Sequence, residues 1–275
     1  MEKDYMALHV EGNQIKNEKG ESVRLLGLNR AGLEWESEDS RIISSVAAAC
    51  DEWHANIIRV PLSQDRWFGH GPEQKGRDDQ GMEYRQLVDK VVEEIFSRGK
   101  YVLLELHWSN CGQWGKYIGQ HYMPDMNSVE FWKDAAERYK SHSAVLFGVY
   151  NEPHSVSWDI WRNGGSVTET FDYKKGKYTE DYETPGIQAL ADVIRSTGAK
   201  NIMVIGGLDW AFILDGIAKG YAIEDKGVNG IIYDSHVYPW KTVDWDEAVT
   251  VIADKYPILI GELGHYGDDA KPVEG

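Results

Sequence analysis

From residue 20 onward the chain alternates short apolar runs with longer stretches whose apolar positions recur every three or four residues. The short runs are Val23–Leu28, Asn56–Pro61, Tyr101–Leu106, Val145–Tyr150, Asn201–Ile205, Gly230–Ser235 and Pro257–Gly261. They are apolar along nearly their whole length, the pattern of parallel strands buried on both faces. Pro61 is expected to end the second of them, because proline cannot donate to a central ladder. One-sided helical stripes follow in Ser40–Trp53, Tyr84–Phe96, a segment through Tyr139, Thr184–Thr197 and Asp244–Ala253. Asn127 and Glu130 stand at capping-box spacing before the third of these, and Gly99 sits just past the end of the second. Gly164 to Glu183, rich in Gly, Thr, Lys and Tyr, reads as a long loop. Repeated strand-then-helix units predict an α/β fold with a parallel sheet under helices, and their number favours a (β/α)8 TIM barrel. An open doubly wound sheet is the alternative. It normally carries a glycine-rich phosphate turn after an early strand, and none is present. Residues 1–275 are read as one catalytic domain.

In a parallel barrel the chemistry sits where strands run out at their C-terminal ends. Asn29, Glu34 and Trp35 follow the first strand, and the second carries Arg59. His107 and Trp108 follow the third strand, Asn151-Glu152-Pro153-His154 the fourth, and Asp209-Trp210 the fifth. The sixth ends in His236-Val237-Tyr238-Pro239-Trp240 and the seventh in Gly261-Glu262-Leu263-Gly264. Glu152 and Glu262 are therefore two carboxyls at the tips of buried strands. Glycosidic bond cleavage needs such a pair, one to protonate the leaving oxygen and one to attack the anomeric carbon or activate water. Each could instead cap a helix or pair with a lysine, but their company of Arg59, His107, His236 and Tyr238 favours chemistry. Arg59 would favour the ionised form of a neighbouring carboxylate. His236 and Tyr238, two apart on an extended strand, face the same way, and the Tyr238 hydroxyl could hold the nucleophile.

The 11 tryptophans fit a carbohydrate site. Trp35, Trp67, Trp108, Trp114, Trp158, Trp161, Trp210 and Trp240 follow strand ends, and only Trp53, Trp132 and Trp245 are assigned to helices. Indoles offer rigid apolar platforms on which the C–H faces of sugar rings stack.

Charge and composition narrow the partners. A net charge of −16 repels nucleic-acid phosphates, and no basic stripe offsets it. No apolar run approaches the ~18 residues that span a bilayer. Cys50, in a helical pattern, and Cys111, in a loop, fix no redox compartment. Met1-Glu2-Lys3-Asp4-Tyr5 is not followed by the apolar stretch of a signal peptide.

The segment Val145-Leu146-Phe147-Gly148-Val149-Tyr150-Asn151-Glu152-Pro153-His154 resembles the signature of glycoside hydrolase family 5, the cellulase family of clan A. Gly261-Glu262-Leu263-Gly264 is similar to that family's nucleophile strand, with Leu263 in place of a frequent aromatic. Arg59, His107, His236 and Tyr238 match as well, and the resemblance spans about residues 8 to 267. It implies a retaining hydrolase with Glu152 as acid/base, Glu262 as nucleophile, Asn151 on the sugar 2-hydroxyl, and no cofactor or metal. It also implies a polysaccharide substrate, β-1,4-glucan first, with mannan or another β-glycan as the alternative. A monomer, free of nucleic acid and membrane, in an extracellular or secreted location goes with that substrate class. The family carries an eighth strand bearing a tryptophan after the nucleophile. Too few residues follow Glu262 for one here, so the barrel is expected to be truncated after the seventh strand. Two rivals stand beside this reading: a metal-dependent barrel hydrolase using His107, His236 and the glutamates, and a non-catalytic carbohydrate-binding barrel.

Overall fold

A computed structural model describes residues 7–264 except 228 and 242. Among them, seven parallel strands form one sheet, neighbouring one another in the order in which they follow along the chain. These are β3 (Gly27–Asn29), β4 (Ile57–Ser63), β5 (Tyr101–Trp108), β6 (Val145–Gly148), β9 (Met203–Gly206), β10 (Ile231–Val237) and β11 (Ile258–Leu263). A small antiparallel hairpin, β1 (Leu8–Glu11) and β2 (Gln14–Asn17), precedes the sheet. The helices are α1 (Ile42–Asp51), α2 (Gln64–Trp67), α3 (Met82–Phe96), α4 (Asn127–Tyr139), α5 (Trp158–Asn163), α6 (Gly186–Ser196) and α7 (Trp245–Ala248). None of the described helices is long and apolar enough to cross a membrane.

Two cores follow from the two-residue period of a strand. Ile58, Val60, Leu62, Val102, Leu104, Leu106, Val145 and Phe147 point outward and pack with the helices. Ile57, Leu103, Leu146, Val204 and Ile232 point inward and make a second, smaller cluster that Leu8 and Leu25 complete. The β1–β2 hairpin thus helps to close the N-terminal end of the barrel. Two residues further along, the same inward stripes become polar: Arg59, Glu105 and Asp234.

Several sequence expectations need correction. Strand β4 continues through Pro61 to Ser63. Arg30 N–H donates to the Arg59 carbonyl, so odd positions of β4 bond toward β3, which ends at Asn29. Pro61 therefore needs no donor on that side. The presumed loop Gly164 to Glu183 is a β-hairpin, β7 (Gly165–Tyr173) with β8 (Gly176–Thr184), paired along its whole length. Asn127 makes no capping box: α4 has no side-chain cap at Met126, and Asp125 accepts the Asn127 N–H at 2.8 Å instead. The first strand is shorter than expected and begins at Gly27.

No ladder joins β3 to β11 among the described residues, so the sheet is a nearly closed barrel with one seam. An opening of about 980 Å³ lies along it, lined by Leu26, Leu28, Ile57, Leu103, Ile258 and Ile260 among others. Asn29 Nδ2 bridges the seam at its polar end, donating to the Gly261 carbonyl at 3.0 Å. Seven strands in this order agree with a (β/α)8 barrel whose eighth strand is not among the described residues. The residues after Gly264 lie outside those described.

Candidate active site

The polar end of the barrel is organised around Arg59. Its guanidinium is buried, and a buried cation must be paired and hydrogen-bonded. Glu105, on the neighbouring strand, grips it in two-point fashion, Nε to Oε2 at 2.5 Å and Nη2 to Oε1 at 2.6 Å. The remaining donors reach outward, Nη1 to Glu262 Oε1 at 2.7 Å and Nη2 to Asn151 Oδ1 at 2.6 Å. One side chain thereby ties β4, β5, the end of β6 and β11 together. Burial alone would lower the Arg59 pKa, but Glu105, Glu262 and Asp234 outweigh it and hold the group charged.

Glu262 owes its position to an irregularity in β11. The β10–β11 register shifts between Asp234 and His236, so that His236 pairs with Glu262. Leu259 packs against the inner cluster, and simple alternation would turn residue 262 away. The extra residue re-aims it toward the mouth, a common use of a bulge. There Glu262 meets Arg59 and accepts a 2.7 Å hydrogen bond from the Tyr238 hydroxyl. Burial pushes its pKa up, but His236, Arg59 and Tyr238 together pull it down to about 2. The carboxylate is ionised at rest.

Glu152 stands at the end of β6 in different company. Its Oε1 lies 3.0 Å from His236 Nδ1, and its carboxylate and that of Glu262 come within 4.8 Å. His236 is fully buried between acids: Nε2 is 3.4 Å from Asp234 and Nδ1 3.7 Å from Glu262. Burial opposes its charge, yet Asp234, Glu152 and Glu262 raise its pKa to about 10. His107 is fixed separately by Glu105, at 2.8 Å from Nδ1.

Arg59, His107, Asn151, Glu152, His236, Tyr238 and Glu262 therefore meet in one place. Reading by strand ends missed three of their partners. Glu105 and Asp234 lie inside strands, where an acid in an otherwise apolar run was itself the signal that a buried cation faces it. Gln120 sits in the loop after β5, accepting from Asn151 Nδ2 at 2.8 Å and donating to the Glu152 carbonyl at 3.0 Å. No pattern in that loop marked it.

The rim is aromatic. Trp35 is half exposed and lies 6.4 Å from the Trp108 ring. Across the mouth, Trp240 stacks on Tyr238 at 4.6 Å, and Trp210 stacks on His154. Other tryptophans leave the expected pattern. Trp67 and Trp161 are fully buried, within α2 and α5, and pack the core. Trp158 begins α5, and Trp53 lies exposed in the turn after α1.

Two metal-capable groups fall in this site, Glu152–His236–Glu262 and Glu105–Asp234–His236. Arg59 contacts Glu105 and Glu262 directly, so a fixed cation already balances the acids that an ion would need. An ion bound there would have to compete with that guanidinium for the same carboxylates.

The barrel and its paired carboxyls at the strand ends define a class, the clan of barrel glycoside hydrolases. The profile of the cellulase family, glycosyl hydrolase family 5, matches residues 16–274, and the chain belongs to that family. An endoglucanase of a Microbulbifer species is 24% identical over 273 residues, covering 95% of this chain and 46% of its own length. Endoglucanase E-5 of Thermobifida fusca is 25% identical, covering 98% of this chain and 51% of its own. The chain thus spans about half the length of these two relatives. Among solved structures, a beta-glucanase of Saccharophagus degradans superposes with a TM-score of 0.68 at 22% identity, covering 96% of this chain and 74% of that one. At that identity the likeness carries the fold.

Proposed function

We propose that this chain is an endoglucanase that hydrolyses β-1,4-linked glucan with retention of anomeric configuration, Glu262 acting as nucleophile and Glu152 as acid/base. The observation that carries the reading is the pair of carboxylates within 4.8 Å in unlike surroundings. Retaining enzymes hold theirs about 5 to 5.5 Å apart, inverting ones about 6.5 to 9.5 Å. Arg59 and Tyr238 hold Glu262 ionised and oriented, as in-line attack on the anomeric carbon requires. His236 occupies Glu152 Oε1, which leaves Oε2 to carry the proton toward the leaving oxygen. Once Glu262 is esterified its negative charge is gone. The field at Glu152 then favours a carboxylate, the form needed to activate the incoming water.

Asn151 is held at both ends by Arg59 and Gln120, and one hydrogen of its amide remains for a sugar hydroxyl. Trp35 and Trp108 on one side, and Trp210 and Trp240 on the other, supply stacking faces for successive rings. The relatives and the solved structures it resembles are named as endoglucanases and a beta-glucanase, which supports glucan ahead of mannan.

A reducing-sugar assay across cellulose, mixed-linkage glucan, mannan and xylan tests the proposal, with Glu262→Gln as control. Turnover of glucans that disappears in the variant is the expected result. Preference for mannan would overturn the substrate. Glucan binding without turnover would make this a non-catalytic carbohydrate-binding barrel.

A further inference from the structure

Away from the catalytic carboxyls, the loop after β5 meets the β7–β8 hairpin at three buried side chains, Cys111, His121 and Glu169. His121 Nδ1 lies 3.1 Å from Cys111 Sγ and 3.1 Å from Glu169 Oε1, and the three donor atoms are all within 4.8 Å of one another. His121 Nε2 lies 2.6 Å from the Tyr117 carbonyl oxygen, which can only accept. One ring hydrogen therefore sits on Nε2, and Nδ1 faces the thiol and the carboxylate; burial opposes a charge on the ring, yet Glu169 raises its pKa. Glu169 is held just as firmly. Its Oε2 accepts from Tyr122 N–H and from the Tyr182 hydroxyl, both at 3.0 Å, which aims Oε1 at the imidazole.

This is not the layout of a nucleophile relay. A relay runs through the two ring nitrogens in series, with nucleophile on one and carboxylate on the other. Here both partners converge on the same nitrogen, and the other is capped by a carbonyl. Convergence of a sulfur, an imidazole nitrogen and a carboxylate oxygen on one point, with outer hydrogen bonds fixing two of the three, is how metal ligands are arranged.

We propose that Cys111, His121 and Glu169 bind a borderline transition dication, zinc being the expected one, as a clip between the loop and the hairpin. A thiolate and an imidazole select this class over calcium or magnesium, which take oxygen ligands. One thiolate and one carboxylate also neutralise a dication, so the buried site carries no net charge. Binding displaces the thiol proton, and a proton carried on His121 Nδ1, to solvent. Donors around tetrahedral zinc stand roughly 3.3 to 3.6 Å apart, given metal–ligand lengths of about 2.0 to 2.3 Å. The two pairs that share His121 Nδ1 need only spread by a few tenths of an ångström to admit the ion, and the third pair lies within 4.8 Å. The consequence reaches the active site, because Gln120, next to His121, holds Asn151 and the Glu152 carbonyl.

The test needs no activity. The 275-residue chain, stripped with a chelator, is titrated with Co²⁺ and then with Zn²⁺. One cobalt per chain with a thiolate-to-cobalt charge-transfer band, bleached by zinc, is the expected result. Cys111→Ser removes the band and Cys50→Ser, at the other cysteine, leaves it. Glu169→Gln weakens binding by about tenfold or more. Zinc also raises the Tm of the wild-type chain and not that of Cys111→Ser. A wild-type chain whose circular dichroism shows it folded, yet without the band at saturating cobalt, overturns the proposal and makes the cluster a buried imidazolium–carboxylate pair. A band that survives Cys111→Ser overturns it as well.

Discussion

The two ends of the barrel interior differ by a two-residue step along each strand. At the N-terminal end the inward positions are Ile57, Leu103 and Ile232; one pleat later they are Arg59, Glu105 and Asp234. The distance between the layers is about 6.6 Å along a strand. The lower layer is held by apolar contact alone. The upper layer consists of charges that would be costly to bury singly and that stabilise each other only as a set. Substitutions below should change stability and leave chemistry intact, while substitutions above should change chemistry.

The largest separation is expected at Glu152. Glu152→Ala should lose about 10²- to 10⁴-fold in turnover of cellulose, for want of a proton donor, with little change in Tm. On an aryl glycoside with a very good leaving group the loss should fall mainly on hydrolysis of the glycosyl-enzyme, and azide should restore turnover. Equal loss on both substrates, without azide rescue, would reverse the assignment.

Next comes the partner that sequence reading missed. Glu105→Gln removes the counter-charge from buried Arg59, and breaking such a pair costs about 3 to 5 kcal/mol. Both Tm and turnover should fall, since Arg59 also positions Glu262 and Asn151. Leu103→Ala, two residues back on the same strand, should cost about 2 to 5 kcal/mol through the cavity it leaves. Its kcat per folded molecule should be unchanged. A drop in kcat for Leu103→Ala with Tm intact would break the comparison.

The smallest effect is in the pH dependence of stability. The Glu262 pKa falls from 4.5 to about 2 on folding, so its contribution is present above pH 4.5 and lost as the pH drops toward 2. The His236 pKa rises from 6.5 to about 10, so its contribution is present below pH 6.5 and lost as the pH rises through 10. Both are complete between pH 4.5 and 6.5, where thermal melts should be highest. The two groups share only their mutual attraction, His236 leaning chiefly on Asp234 and Glu152 and Glu262 also on Arg59 and Tyr238, so the two limbs are coupled without being one effect. Glu262→Gln should flatten the acid limb.

The upper layer also explains what could be read from the sequence. The strands were legible because they are buried on both faces, and most site residues because they stand at or just past a strand tip; Arg59, inside β4, stood out as a charge in an apolar run. The β7–β8 hairpin was not. Its alternation is carried by Thr, Glu, Asp, Lys and Tyr, and one buried position of β7 is Glu169 rather than an apolar residue. Its burial depends on Tyr122, Tyr182 and His121, contacts that no local pattern contains. The turn of Glu262 into the mouth rests on a register shift between β10 and β11, which belongs to the pair of strands and not to either alone.

The central claim is that Glu262 attacks and Glu152 transfers protons. Incubating the chain with a 2-deoxy-2-fluoro cellobioside bearing a good leaving group should trap the glycosyl-enzyme, because fluorine slows both its formation and its hydrolysis while the good leaving group restores only its formation. Peptide mass spectrometry should then find one sugar on Glu262, with Glu152 unlabelled. A label on Glu152, or steady release of product of inverted configuration with no adduct, would contradict the account.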